Sequence, residues 1–213
     1  MKTVDKSGQR KYDGTGFEPD PLLWVQLEAE TPDAICRRAL VGYDREKGFL
    51  LPFLSGTFGI LPGKRDIVAL EGGVSRPISF ELALIILTYL VRAMPISLSG
   101  KGVNEKQIPG GEAFFRGPHL LPTGPMEELF GDDREAFLRA GKKLKGQVSR
   151  EGDASICLPV FPRVPMTLIL WERDDEFPAR ITVNFDSTVG RHLPLDIIWS
   201  TVNVVSKWMI RSA

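Results

Sequence analysis

Hydrophobic and polar positions are most sharply patterned between residues 154 and 195. Three apolar segments, 154–161, 166–171 and 179–185, are separated by the corner Phe161-Pro162-Arg163-Val164-Pro165 and by the acidic turn Glu172-Arg173-Asp174-Asp175-Glu176. This spacing predicts an antiparallel meander. The middle segment is apolar on both faces and is predicted to be the central strand. The third alternates: Ile181, Val183 and Phe185 point one way, and Arg180, Thr182, Asn184 and Asp186 the other. Its polar face is either the solvated side of the sheet or a wall of a site.

A second strand cluster precedes it. Short apolar runs at 49–54, 57–61 and 66–70 are joined by Ser55-Gly56 and Pro62-Gly63-Lys64-Arg65. Pro52 cannot donate to a ladder, so its strand is expected at an edge or with a bulge. Glu71-Gly72-Gly73 is a turn, and without a following GK[ST] it is no phosphate loop.

Helical signals fill the remainder. Thr31-Pro32-Asp33 starts a helix running to about Val41, with Gly42 as its stop. Ser79 caps a helix to about Ala93 that is apolar almost all round, predicting burial between layers. A short helix is expected at 125–130. A longer one is capped by Asp132, with Glu135 placed for a capping box, and buries Phe137, Ala140 and Leu144. From Pro194 to about Ile210, Leu195, Ile198, Trp199, Val202, Val205 and Met209 recur at helical spacing. The fold expected is α+β: an antiparallel sheet built from two strand clusters (about 49–70 and 154–185) with packed helices, one domain over 22–213. Leu22, Leu23, Val25 and Leu27 around Trp24 begin it, and residues 1–21, polar and Gly-containing, read as a mobile tail.

Composition narrows the function classes. With 27 Lys plus Arg against 27 Asp plus Glu, the chain is not expected to bind nucleic acid or anionic membrane generally. The apolar run from Leu82 to Val91 is too short to cross a bilayer, and the N-terminus has no apolar signal core. A soluble, cytoplasmic protein is expected. Cys36 and Cys157 have no CxxC spacing and read as reduced, buried thiols, too few for a zinc or iron–sulfur site held by this chain alone.

Residues 94–124 show neither helical nor strand period, and a loop of that length in a compact domain is usually functional or disordered. Phe114 and Phe115 among its glycines and prolines argue for an ordered loop anchored by both rings. It carries Glu112, Arg116 and His119. The other candidate groups are Arg163 in the proline corner, Asp186 at a strand end, and Arg191-His192 before the last helix. A stiff corner would present Arg163 to a carboxylate or phosphate; alternatively Arg163 pairs with Asp186 and locks the sheet end. Asp186, followed by Ser187-Thr188, either makes an Asx-turn or serves as ligand or base. His119 and His192 are either ordinary loop histidines or shared ligands of a metal or tetrapyrrole iron. The expected arrangement is a pocket, cationic on balance, closed by the long loop and suited to an anionic ligand.

Pro109-Gly110-Gly111-Glu112 with Phe114-Phe115, then 161–165, then Asn184-Phe185-Asp186 and His192-Leu193, together resemble an uncharacterised domain-of-unknown-function family of anaerobic bacteria and archaea. Some of its members are joined to iron–sulfur cluster domains of the kind seen with corrinoid proteins. The resemblance covers most of the chain from about Leu22 and implies an anaerobic redox or corrinoid setting. The cysteine-rich cluster domain is missing here, and the DxHxxG cobalamin motif is absent because His192 is followed by Leu-Pro-Leu. No cofactor is therefore inherited. The function expected is a non-catalytic binding or accessory module for a small anionic ligand or a redox or corrinoid-protein partner. The alternative is an enzyme using His119, His192 and Asp186, with or without a metal.

Overall fold

Each strand cluster makes its own antiparallel sheet. In the computed structural model, which describes residues 18–71 and 78–213, the first sheet has the order β1 (Gly42–Asp44), β2 (Gly48–Phe53), β3 (Gly56–Leu61), β4 (Asp66–Glu71). The second has the order β5 (Gly102–Asn104), β9 (Arg180–Asp186), β8 (Val164–Trp171), β7 (Ala154–Phe161), β6 (Gln147–Ser149). The α+β class holds, with two sheets rather than one drawing on both clusters. Most of the expected tail and the Gly72-Gly73 turn lie outside the described residues.

The meander is as the apolar pattern predicts, and β8 is the central strand of five. Cross-strand rows such as Ile156, Leu168, Val183 and Leu158, Met166, Phe185 bury one face. The sequence signal misses the short strands β1, β5 and β6. Pro52 lies in β2 beyond the end of β1, which pairs only with residues 48–50, so its missing N–H faces a locally free edge.

Helices cover the buried face. They are α1 (Pro21–Glu28), α2 (Pro32–Ala39), α3 (Phe80–Arg92), α4 (Gly111–Phe114), α5 (Gly124–Phe130), α6 (Arg134–Lys143), α7 (Val189–His192) and α8 (Leu195–Arg211). Residues 22–27, expected only as an apolar anchor, form α1, capped by Asp20. Thr31 caps α2 as expected, but the stop is Leu40 at φ 55°, in the left-handed region, and Gly42 opens β1 instead. The cap of α6 is Asp133, which accepts from Ala136 N–H, while the neighbouring Asp132 pairs with Arg173. Helix α6 lies so close to β7 that a Cβ on Gly141 would meet Ile156 Cδ1 at 2.6 Å. Ser79 caps α3, whose Leu82, Ala83, Ile85, Ile86, Leu87, Tyr89 and Leu90 are all buried.

Between the sheets, Leu54 N–H donates to Pro159 O at 3.1 Å. Around this bond Phe53 packs on Phe161 and Trp208, with ring centroids 5.2 and 5.5 Å away, and Tyr89 stacks on Phe161 at 4.4 Å. The apolar core runs continuously through both sheets. Among the described residues, no helix is long and apolar enough to cross a membrane. Cys36 and Cys157 are free thiols and only half-buried, less enclosed than their sequence context predicts.

Candidate functional site

Residues 94–124 leave α3 and return along the sheet end, and their first stretch is where the buried candidate groups converge. Strand β9 ends at Asp186, the two-residue turn between β7 and β8 carries Arg163, and α7 ends at His192. All three side chains are turned to the chain's own residues 94–100. His192 Nδ1 accepts from Met94 N–H at 3.2 Å. The Arg163 guanidinium donates through Nη1 to Ile96 O. Asp186 accepts from Ser99 N–H at 3.1 Å, from Ser99 Oγ–H at 3.0 Å and from Gly100 N–H at 2.8 Å.

Arg163 is 8% exposed, and its remaining donors go to the end of α2: Nε to Arg38 O at 2.6 Å and Nη2 to Arg37 O at 3.3 Å. These are orphan carbonyls of a helix C-terminus, where a cation also meets the negative end of the dipole. The backbone N–H of Arg163 donates to Tyr89 Oη, which in turn donates to Ala39 O. Burial pushes the Tyr89 hydroxyl well above its ordinary range, so it acts as a fixed donor. Arg163 thus ties α2, α3 and the loop root to the meander corner. Among the described residues it forms no ion pair with Asp186, contrary to the lock considered from sequence.

Asp186 does make the expected Asx-turn, accepting from Thr188 N–H at 3.0 Å and Thr188 Oγ1–H at 2.7 Å. Burial raises its pKa. The Thr188, Ser99 and Gly100 donors more than offset this and hold the carboxyl at about 2. With five donors on it, the carboxylate is a hub for two loops, not a free base.

His192 is fully buried. Because Nδ1 accepts, the neutral ring carries its proton on Nε2, and that N–H has no hydrogen-bond partner among the described residues. Burial lowers its pKa to about 4; the Arg163 and Arg191 cations add to this, and Asp186 opposes them.

The other candidates lie on the surface. Glu112 in α4 and Arg116 just beyond it form an exposed i,i+4 pair at 3.2 Å. His119 is exposed and stacks on Phe114, with centroids 4.6 Å apart and planes 14° from parallel. Phe114 packs edge-on against Phe115, which is buried, so the aromatic anchor predicted for the loop is present. Arg191 is exposed beside Met94, its Nη2 3.8 Å from Sδ. A Cβ on Gly190 would meet Ile108 at 3.2 Å, so the loop lies against α7. Trp199 Nε1–H donates to Leu120 O at 2.9 Å, and Leu120 itself is 63% exposed.

The two histidines therefore occupy opposite environments, one in solvent and one in the core. Among the described residues no group of three or more His, Cys, Asp or Glu side chains is placed to hold a metal ion. Sequence reasoning missed Met94, Ser99 and Gly100, whose contributions are mainly backbone groups and leave no side-chain signature. The Asp186-Ser187-Thr188 spacing did announce half of the Asp186 site.

This arrangement defines an α+β protein in which a long surface segment is clamped at its root by buried polar side chains. The chain belongs to the DUF3786 family, a domain of unknown function matched over residues 31–208. No curated protein and no solved structure matches the chain.

Proposed function

We propose that this protein is a non-catalytic binding or accessory module whose working surface is the outer face of residues 105–120 with Arg191. One observation carries the reading: Arg163, Asp186 and His192, the groups best suited to chemistry, are buried and hold the protein's own loop. What the loop offers outward is a recognition surface of Glu112, Arg116, His119 on Phe114, and Leu120. Its polar groups are only weakly committed, since an exposed ion pair contributes at most about 1 kcal/mol. Exposed apolar and aromatic groups beside polar ones suit a protein-docking surface. The partner class proposed, a redox or corrinoid protein of anaerobic metabolism, is the one that the resemblance read from the sequence implies. A small anion is the less favoured ligand, because the Arg163 guanidinium expected to bind it is already on backbone carbonyls. No observation favours the catalytic alternative at His119, His192 and Asp186.

Affinity-tagged protein expressed in its native host, cross-linked and analysed by mass spectrometry, tests the reading. The wild type is expected to retain a redox or corrinoid protein through peptides of residues 105–120. The combined variant Arg116→Ala, His119→Ala, Arg191→Ala is expected to lose that partner with an unchanged melting temperature. Cross-links confined to the opposite face, or partner capture undiminished in the variant, would refute it. Titration with inorganic phosphate addresses the anion separately: saturable binding abolished by Arg163→Met with the melting temperature unchanged would restore the small-ligand reading.

A further inference from the structure

We infer that His192 is an acid-sensitive latch that holds the root of the long surface segment, residues 94–100, onto the sheet end. The inference concerns how the segment is attached and stands apart from what its outer face binds.

The geometry demands a neutral ring. Nδ1 accepts the Met94 N–H, and an imidazolium has no lone pair with which to accept. A proton on Nδ1 would place two N–H donors against each other, so the Met94 contact must break. The ring is fully buried, and its Nε2–H already lacks an acceptor among the described residues. A charged ring would leave that second donor uncompensated as well.

The charges facing His192 act mainly in the same direction. Arg163 approaches from the β7–β8 turn and Arg191 from α7, both repelling an imidazolium, while Asp186 from β9 attracts it. Asp186 is nevertheless engaged by five donors from Ser99, Gly100 and Thr188. The segment that would move is suited to moving. Ser97, Leu98, Ser99 and Gly100 are exposed, and this stretch has no regular secondary structure. Its attachment to the body runs largely through His192, Arg163 and Asp186. Loss of the first contact leaves it held at Ile96 and at Ser99-Gly100.

The direction follows from linkage. In an opened segment the ring takes its proton at an ordinary pKa of 6.5, and in the closed one only at about 4. Between those values the open form binds the extra proton, so acidification favours opening and closure is restored as pH rises. Across that window the closed-to-open ratio falls by up to about 300-fold.

Amide hydrogen exchange of the full chain, read by mass spectrometry and corrected for intrinsic rates, tests this between pH 7 and pH 4.5. Protection of the Met94 and Ile96 amides is expected to drop by at least about tenfold, with the β7 and β8 amides unaffected. In His192→Asn, whose side-chain oxygen can accept from Met94 without titrating, protection of the same residues should be independent of pH. Protection that is flat in the wild type, or equally acid-dependent in His192→Asn, would overturn the latch. If the variant does not fold, nuclear magnetic resonance of the wild-type ring decides. The Nε2–H tautomer persisting below pH 5 is expected, and titration near 6.5 would refute the proposal.

Discussion

Arg163 is placed where loss of a side chain removes more than its own contacts. Its guanidinium caps Arg37 O and Arg38 O and holds Ile96 O, and all three bonds are partly buried. Arg163→Met, close in volume but without donors, leaves them partly unsatisfied and is expected to cost about 3 kcal/mol. Chemical denaturation measures this, and a loss below about 0.5 kcal/mol would mean that water replaces the guanidinium. Asp186 makes a pH-dependent contribution whose sign is fixed by its depressed pKa. The native carboxyl titrates at about 2 against 3.8 unfolded, so its stabilisation is fully present above pH 3.8 and is lost as pH falls through about 2. Asp186→Asn should remove on the order of 2 kcal/mol at pH 7 and flatten the acid limb of the stability curve. A variant retaining the wild-type limb below pH 4 would contradict this assignment.

At the level of elements, residues 94–124 form a segment built around backbone docking. Strand β5 pairs with β9 through Gly102–Asp186, Val103–Phe185 and Asn104–Asn184. The following 3-10 turn closes with a capping box between Asn104 and Gln107. Helix α4 then approaches so closely that a Cβ on Gly111 would meet Glu105 O at 1.9 Å. Gly111→Ala is therefore expected to push α4 off the turn and expose Phe115, while the meander remains intact. Limited trypsin digestion reads this directly. The wild type should resist brief cutting at Lys101, Lys106 and Arg116, whereas Gly111→Ala should be cut there first. Equal resistance in both proteins would show that the loop absorbs the extra methyl by shifting as a body.

For the molecule as a whole, the question is whether two sheets behave as one folding unit. Their contact is a backbone bond from Leu54 to Pro159 and an aromatic cluster of Phe53, Phe58, Phe161, Tyr89 and Trp208. Phe53 touches members of both sheets and α8, so Phe53→Ala removes the centre of that cluster at an expected cost of about 4 kcal/mol. Because the core is continuous, urea unfolding followed by tryptophan fluorescence and by circular dichroism should give coincident single transitions in the wild type. Separate transitions for the two probes would mean that the sheets fold independently.

Local pattern was enough for the parts whose cause is local. Alternation at Ile181, Val183 and Phe185 and the doubly apolar run at 166–171 determined the meander and its central strand, because a side-chain period of two leaves one register that buries the apolar face. Thr31 and Ser79 marked their helices, since a cap acts within a few residues of itself. The aromatic pair Phe114-Phe115 announced an ordered loop for a similar reason. The roles of Arg163 and His192 had no such local cause. Their partners, Arg37 O, Arg38 O, Ile96 O and Met94 N–H, are backbone groups far away in the chain, and every residue type offers a carbonyl. The same limit hid the three-residue strands β1, β5 and β6, which are too short to show a period and exist because a longer neighbour offers an edge. That the candidate groups gather at one end of the meander was legible in its topology. That they face inward, onto the chain's own loop, was decided only by tertiary packing, which left those backbone groups to be satisfied from within the protein.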